Sequence, residues 1–201
     1  MKISALMIDN PITITEDADI EEAISIMKSN SIRHLPVVSG DRIFMGLVTL
    51  ADLRLGLIPS MVADVSLKDL IIRNPFTVDP DQDIEHAARL IYEKKVSGLP
   101  VVKNGKLVGI ITETDILRAF VDMMGILSDH VRIDVKMKEG MCSCSDVWKV
   151  IHDHGGDVYH MCMAPLEEDA QVYRFRISKS QIGNIRSALE DSGYEVSKAE
   201  D

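Results

Sequence analysis

Leu99-Pro100-Val101-Val102 and Gly109-Ile110-Ile111-Thr112-Glu113-Thr114-Asp115 form the stretch of sequence that decides the fold. Nearly the same residues stand earlier, as Leu35-Pro36-Val37-Val38 and Gly46-Leu47-Val48-Thr49-Leu50-Ala51-Asp52. The offset is 64 residues for the first part and 63 for the second. An internal repeat of this length indicates one supersecondary unit used twice. The sequence therefore predicts a duplicated domain.

Each copy is predicted to run strand, helix, strand, turn, strand, helix. In the second copy, the apolar residues of 84–91 recur three and four positions apart, which is helical spacing. Short β-branched runs at 96–102 and 107–112 flank Asn104-Gly105, the dipeptide most typical of a tight hairpin. A helix over 116–123 is expected to close the copy.

An Asn-Pro-x-Thr motif also opens both copies, at residues 10–13 and 74–77. Two units in register, each with Leu-Pro-Val-Val, a hairpin and Gly-apolar-apolar-Thr-x-x-Asp, resemble a pair of CBS (cystathionine β-synthase) domains. The resemblance covers roughly residues 1–125. It implies that the two units pack their sheets together and bind adenosine nucleotides in the clefts between them.

A threonine and an aspartate three residues apart follow the hairpin of each copy: Thr49 with Asp52, and Thr112 with Asp115. One carboxylate accepts hydrogen bonds from both hydroxyls of a ribose, and a threonine hydroxyl donates to a phosphate or ribose oxygen. A strand-end threonine and a helix-start aspartate face one cleft, so these pairs are candidate nucleotide ligands. The alternative is that they only cap the helix.

The two copies differ where the buried strand begins, since Arg33-His34 in the first is replaced by Ser97-Gly98 in the second. Arg33 and a protonated His34 offer charge to phosphates, whereas Ser97 and Gly98 offer a hydroxyl and a close-approaching backbone. We therefore expect the first cleft to be more cationic, and the phosphates of ADP or ATP to bind to Arg33. Protonated His34 is expected to strengthen this preference for ADP or ATP as the pH falls toward about 6. The alternatives are a solvated loop residue for Arg33 and a polar edge residue for His34.

The resemblance adds residues at the lip of each cleft. It places Thr13 and Thr77 next to the adenine, although a threonine in a β-branched run is equally typical of a plain strand. Lys94, Lys95 and Arg118 could bring charge to the second cleft. The candidate ligand-binding residues are Thr13, Arg33, His34, Pro36, Thr49, Asp52, Thr77, Ser97, Gly98, Pro100, Thr112 and Asp115.

The sequence changes character after residue 128. Runs with strand alternation or helical spacing follow in the order β-α-β-β-α-β, the split βαβ or ferredoxin-like order. This order resembles an ACT domain, a regulatory fold that often binds amino acids, although Lys138-Glu139-Gly140-Met141 keeps only the glycine of that family's usual turn. A CBS pair followed by an ACT-like domain is the layout of the acetoin-utilisation type of CBS protein.

The predicted fold class is α+β, with three domains. Residues 1–62 form the first CBS repeat, with the lead-in 1–11 assigned to it. Residues 63–127 form the second repeat, and 131–201 form the ACT-like domain.

Composition and charge limit the classes of function. The chain has 201 residues, 46% of them hydrophobic, and a net charge of −10. Binding to nucleic-acid phosphates needs clustered Lys and Arg, so no nucleic-acid surface is expected. The uncharged stretches fall short of the roughly 20 residues that span a bilayer, and no basic-then-apolar signal peptide begins the chain. We therefore expect a cytoplasmic protein that binds no membrane.

Three cysteines, Cys142, Cys144 and Cys162, fit reduced thiols better than a disulfide framework. Their spacing is not that of structural zinc, so no metal site is predicted. The histidines that follow in the sequence, at positions 152, 154 and 160, leave a metal site as the alternative.

These patterns predict a regulatory sensor and not an enzyme. AMP, ADP or ATP, before S-adenosylmethionine, is expected to bind in one or both clefts and shift the packing of the domains. No obligatory cofactor is expected, and the sequence has no P-loop, G-x-G-x-x-G or nucleophile elbow. The alternatives are an amino-acid-responsive ACT regulator and an interaction scaffold that binds no nucleotide. A wide apolar stripe over 116–124 predicts a homodimer, and an unidentified protein partner fits a regulatory role.

Overall fold

The computed structural model describes residues 1–56, 65–137, 143–164, 171–179 and 181–200. The chain divides into two compact units, Met1–Leu117 and Arg118–Asp201. The strands are β1 (Ile8–Asp9), β2 (His34–Ser39), β3 (Ile43–Thr49), β4 (Gly98–Lys103), β5 (Lys106–Thr112), β6 (Val131–Met137), β7 (Val158–Met163), β8 (Gln171–Ile177) and β9 (Glu195–Glu200). The α-helices are α1 (Ile20–Ser29), α2 (Leu50–Gly56), α3 (Leu67–Leu70), α4 (Ile84–Lys94), α5 (Glu113–Met123), α6 (Cys144–Asp153) and α7 (Ile182–Asp191). The division into units falls within α5, earlier than the predicted domain start at 131.

Each repeat of the first unit places a helix before a β-hairpin, as the sequence predicts. α1 precedes the hairpin β2–β3, and α4 precedes the hairpin β4–β5. At the second hairpin turn, Asn104 and Gly105 both have positive φ, 51° and 77°, which is the backbone that an Asn-Gly turn requires. The two hairpins meet where Ile43 of β3 pairs with Lys106 of β5, so that both belong to one five-stranded sheet.

The lead-in of each repeat crosses to the other repeat. In the first lead-in, Ile8 of β1 pairs with Ile110 of β5. In the second, Ile72 pairs with Leu47 of β3. Leu67, which also precedes the second repeat, is 1% exposed and packs in the core of the first. The hydrophobic core of the first repeat is therefore completed by chain that precedes the second.

The beginning of the first lead-in also contacts the second repeat, although the sequence analysis assigned residues 1–11 to the first repeat. The amide of Ile3 donates to the carbonyl of Gln82 at 2.9 Å, and the amide of Ile84 donates to the carbonyl of Met1 at 2.9 Å. Ile3 is fully buried. The segment is thus held by the start of α4 in the second repeat.

The second unit has the predicted βαββαβ order. Its sheet has the strand order β7-β8-β6-β9, and every neighbouring pair is antiparallel. This is the split βαβ arrangement. The buried residues Ile133, Phe175, Val147 and Ile185 join the sheet to α6 and α7 in one core.

Three predictions fall outside the described residues. They are the boundary between the repeats at 62 and 63, the turn over 138–141, and the role of Cys142.

Candidate functional site

The exchange of lead-ins builds a cleft from both repeats, which we call the composite cleft. It holds a cavity of about 300 Å³. His34, Leu47 and Thr49 of the first repeat line it, together with Ile72 and residues 74–76 and 95–99 of the second. The expected grouping, with Arg33 and His34 in one cleft and Ser97 and Gly98 in the other, is therefore wrong for His34, which shares this cavity with the serine and glycine.

The threonine and aspartate of each candidate pair are hydrogen-bonded to each other. Thr49 Oγ1 donates to Asp52 Oδ2 at 2.5 Å, and Thr112 Oγ1 donates to Asp115 Oδ2 at 2.6 Å. Both threonines directly precede a helix, and the bonds from Asp52 N to Thr49 Oγ1 (3.3 Å) and from Thr112 N to Asp115 Oδ2 (2.9 Å) are helix-capping bonds. Capping therefore occurs in both repeats. In both pairs the threonine hydroxyl occupies Oδ2 of the aspartate, and no described residue donates to Oδ1, so each carboxylate keeps acceptor capacity.

His34 joins the two repeats inside the composite cleft. Its side chain is 8% exposed, and its Nε2 lies 2.8 Å from the Ser97 hydroxyl. A Cβ on Gly98 would stand 3.2 Å from three atoms of the imidazole, so the glycine lets the ring pack against β4. Burial, and then the charge of Arg33, lower the pKa of His34 below its ordinary value against a smaller opposing effect of Glu113. This corrects the expectation that His34 gains charge toward pH 6, because its charged form is reached only at lower pH.

Cationic side chains reach the composite cleft from the second repeat. Lys95 lines the cavity, and Lys94 Nζ lies 5.5 Å from the ring centroid of Phe76, another lining residue. Arg33 is exposed and is not among the lining residues. The cleft built around the serine and glycine is therefore cationic as well.

The two threonines of the Asn-Pro-x-Thr motifs are placed differently. Thr13 lines a separate, open cavity of about 430 Å³ beside Asp17 and Glu22. Thr77 is exposed and directly follows Phe76 of the composite cleft. Neither threonine is among the residues that line the composite cleft.

The two prolines of the Leu-Pro-Val-Val motifs are buried strand residues. The carbonyl of Pro36 accepts a hydrogen bond from the amide of Ile14 at 3.1 Å, and that of Pro100 accepts one from the amide of Val78 at 3.1 Å. Since proline has no N–H, it holds these positions through its carbonyl alone. Both prolines therefore fix the strands next to the candidate site.

Sequence reasoning missed the cleft residues that the second lead-in supplies. Ile72, Asn74, Pro75 and Phe76 line the cavity but were not candidates. The signal was the Asn-Pro-x-Thr motif, which marks the repeat and also marks the segment that crosses to the other repeat. Only the crossing itself, seen in the pairing of Ile72 with Leu47, shows that this segment belongs to a site with Thr49.

The structure gives no sign of a metal site or a membrane span in the ranges it describes. Those ranges contain no group of three or more His, Cys, Asp or Glu side chains that could hold a metal ion. No helix within them combines the length and the apolar character needed to cross a bilayer. Cys144 and Cys162 are free thiols.

The duplicated fold, with one cleft lined by both repeats, defines a class of paired-repeat modules. The sequence model of the CBS domain matches residues 3–58 and 67–122, which is more than half of the chain. The chain therefore belongs to the CBS domain family.

A similar curated protein is a homoserine O-acetyltransferase of Methanohalobium evestigatum. It is 37% identical over 117 residues, which are 58% of this chain and 23% of that protein. The chain spans less than a quarter of the length of this relative. Most of that acetyltransferase therefore lies outside the region that aligns with this chain.

Three solved structures are similar to the CBS pair. The CBS domain pair of protein MJ0100, in complex with 5′-methylthioadenosine and S-adenosyl-L-methionine, has a TM-score of 0.57 and 28% identity, and covers 61% of this chain and 97% of that one. The acetoin utilization protein AcuB from Vibrio cholerae has a TM-score of 0.57 and 25% identity, and covers 64% and 96%. CBSX2 in complex with AMP has a TM-score of 0.54 and 26% identity, and covers 60% and 96%.

Proposed function

We propose that this chain is a regulatory module whose composite cleft binds an adenosine-containing ligand. The observation that carries the proposal is that Thr49, bonded to Asp52, meets Ser97 and Gly98 of the other repeat around one cavity of about 300 Å³. That volume lies at the lower end of the range for small-molecule sites. Similar CBS pairs are complexed with 5′-methylthioadenosine, S-adenosyl-L-methionine or AMP, which supports the same ligand class here.

Each part of an adenosine nucleotide has a proposed partner in the composite cleft. Asp52 accepts the ribose hydroxyls through its Oδ1 oxygen, while Thr49 holds the other oxygen. Ile72 and Phe76, both partly exposed to the cavity, pack against the adenine. Lys95 attracts the phosphate end.

The charge at the cleft favours AMP, ADP or ATP over a ligand without phosphate. Lys94 and Lys95 stand on the approach to the cavity, and cationic groups strengthen hydrogen bonds to phosphate oxygens. The duplication extends the proposal to a second cleft, in which Thr112 and Asp115 work with Arg33. We propose no obligatory cofactor and no catalytic residue.

Ligand binding is proposed to shift an equilibrium between arrangements of the domains, by no more than the ligand's difference in affinity between them. The split βαβ sheet of the second unit supports its assignment as an ACT-like regulatory domain. Leu117 and Phe120 of α5 are 63% and 41% exposed, and these apolar side chains support a homodimer. We propose a cytoplasmic location for the assembly.

The test is calorimetry of the full chain with AMP, ADP, ATP, 5′-methylthioadenosine and S-adenosylmethionine. Whichever of these compounds binds, Asp52→Ala is expected to lower its affinity by about 10- to 100-fold, because a hydrogen bond to a charged group is lost. Asp41→Ala, which removes an exposed carboxylate from a turn of the same repeat, is the matched control.

Two results would overturn the proposal. No heat of binding with any of the five compounds would favour a scaffold, and a response to amino acids alone would favour a purely amino-acid-responsive regulator. Turnover of a bound nucleotide by the pure chain would revive an enzymatic function.

A further inference from the structure

The face of the second unit's sheet that turns away from α6 and α7 is basic. Along β6 and β8, the core residues Ile133, Phe175 and Ile177 alternate with arginines on the opposite face. These are Arg132, Arg174 and Arg176, and all three line one cavity of about 280 Å³. His160 and Cys162 of β7 share that face and that cavity.

Two of these arginines hold one buried carboxylate. Asp134 is 4% exposed, and its Oδ1 accepts hydrogen bonds from Arg132 Nε at 2.8 Å and from Arg174 Nε at 3.1 Å. Burial raises the pKa of Asp134, but the hydrogen bonds and charges of Arg132 and Arg174 outweigh burial and hold the pKa below its usual range. Asp134 is thus ionised and pairs with both guanidinium groups.

Arg176 leaves the cavity with further positive charge. Its side chain is partly buried, and no described residue forms a hydrogen bond or ion pair with its guanidinium. No acidic residue is among the lining residues of the cavity. Arg176 therefore brings a positive charge to a partly enclosed surface, where charges are screened less than in open water.

An apolar cover completes the cavity. Met123 and Met124 at the end of α5, and Ile126 after it, line the side that the arginines do not. The turn comes close because Gly125, with φ +60°, has no side chain: a Cβ there would lie 2.4 Å from the His160 ring and 3.1 Å from Arg176 Cδ. The cavity therefore combines a cationic wall with a methionine-rich wall.

We propose that this cavity is a binding site for a small organic oxyanion, a carboxylate or phosphate carried on a short apolar body. Guanidinium groups bind such oxyanions through two parallel hydrogen bonds, and Arg176 lines the cavity with donors that no described residue occupies. The methionines adapt to the apolar body. The site is separate from the nucleotide cleft and does not depend on it.

The two walls exclude other occupants. A metal cation is not the expected occupant, because the positive charges of the arginines repel it. A free inorganic anion would use the arginines but leave the methionine wall without a partner, so it is expected to bind more weakly than an anion with an apolar body.

The test uses the full chain with ¹³C-labelled methionine methyl groups, which report the cavity directly through Met123 and Met124. Phenyl phosphate and 3-methylbutanoate are the probes, and 3-methylbutanamide is the uncharged analogue. We expect both probes to shift the methyl signals of the cavity and to leave that of Met27, in the core of the first repeat, in place. The amide should shift none of them.

Arg176→Gln is expected to weaken both probes by at least about tenfold, since it removes the charged partner. Arg176→Lys, which keeps the charge but not the fork of two donors, should fall between. Arg186→Gln, an exposed arginine of α7 bonded to Glu190 at 2.9 Å, is the matched control and should bind like the original chain.

The proposal is overturned if neither probe shifts the cavity methyl groups up to about 10 mM, above the usual range for metabolite sites. It is also overturned if the amide binds as well as the anions, or if Arg176→Gln and Arg186→Gln have equal effects.

Discussion

The two CBS repeats share one backbone plan but differ at the point where they touch. In both, the lead-in pairs with the other repeat's hairpin and a threonine binds an aspartate at the start of a helix. At the strand entry, however, His34 of the first repeat hydrogen-bonds to Ser97 of the second, and its ring packs where Gly98 has no side chain. The comparison shows that duplication puts equivalent residues at equivalent backbone positions. The contact between the repeats then buries His34 and so determines whether this side chain carries a charge.

The largest expected difference between the repeats concerns the two glycines that the crossing lead-ins approach. A Cβ on Gly46 would lie 2.6 Å from the carbonyl oxygen of Ile72, a backbone atom that cannot turn aside. A Cβ on the equivalent Gly109 would meet the Met7 sulfur at 2.5 Å, which sits on a flexible side chain. Gly46→Ala should therefore lower the free energy of unfolding of the first unit by about 2–3 kcal/mol and Gly109→Ala by about 1 kcal/mol.

Urea denaturation of the full chain, followed by amide hydrogen exchange in β3 and β5, measures both changes. Gly105→Ala, where a Cβ would have open space, separates crowding from the loss of glycine at a positive φ. Equal losses in Gly46→Ala and Gly109→Ala would show that the lead-ins do not press on the hairpins as described.

The next difference is a pH dependence that only the first repeat carries. Because the pKa of His34 is lowered in the folded chain, the unfolded chain binds the proton first as the pH falls below the ordinary value of about 6.5. The stability contributed by neutral His34 is therefore full above pH 6.5 and is lost toward the lower folded pKa, by at most about 1.4 kcal/mol per pH unit. His34→Gln should flatten the slope of unfolding free energy between pH 6.5 and 5.

His86→Gln is the control for losing a histidine, since His86 is exposed on α4 of the second repeat. A slope that survives in His34→Gln, or that disappears in His86→Gln, would contradict the assignment of the pH dependence to the buried ring.

The smallest expected difference is in how the two clefts attract phosphates. Lys95→Ala should weaken ATP more than AMP, by up to about fivefold, because an exposed charge pair contributes at most about 1 kcal/mol. Arg33→Ala should weaken the binding of ATP relative to AMP by a similar factor, but in the second cleft. Calorimetric titration of each variant with AMP and ATP measures the ratio. If Lys95→Ala changes both affinities equally, the phosphates are bound elsewhere.

Local patterns were enough to predict most of the fold. The repeat offset, the Asn104-Gly105 turn and the spacing of apolar residues gave the hairpins, the helices and the βαββαβ order of the second unit, because turn and period act over a few residues. The crossing of the lead-ins was not predictable in this way. The pairing of Ile72 with Leu47 joins segments whose patterns are equally compatible with pairing inside one repeat.

For the candidate site, too, local patterns identified individual residues but not their contacts. Thr49, Asp52, Ser97 and Gly98 were identified by residue type and spacing. The meeting of Thr49, Ser97 and Gly98 around one cavity, and the burial that lowers the pKa of His34, depend on contacts between the two repeats. Local sequence carries no information on such contacts until the topology is known.

The central claim is that one cleft is built from both repeats, and a double-variant cycle in AMP calorimetry tests it most directly. Asp52→Ala changes the first repeat, and Phe76→Ala changes the second. Because both residues are assigned to the composite cleft, each variant should weaken the same binding event, and the double variant should affect no more sites than either single variant. The pair Asp115→Ala and Phe76→Ala, assigned to different clefts, should lose sites additively. Additive loss in the Asp52 and Phe76 pair would contradict the account, because it would show that each repeat binds its own ligand.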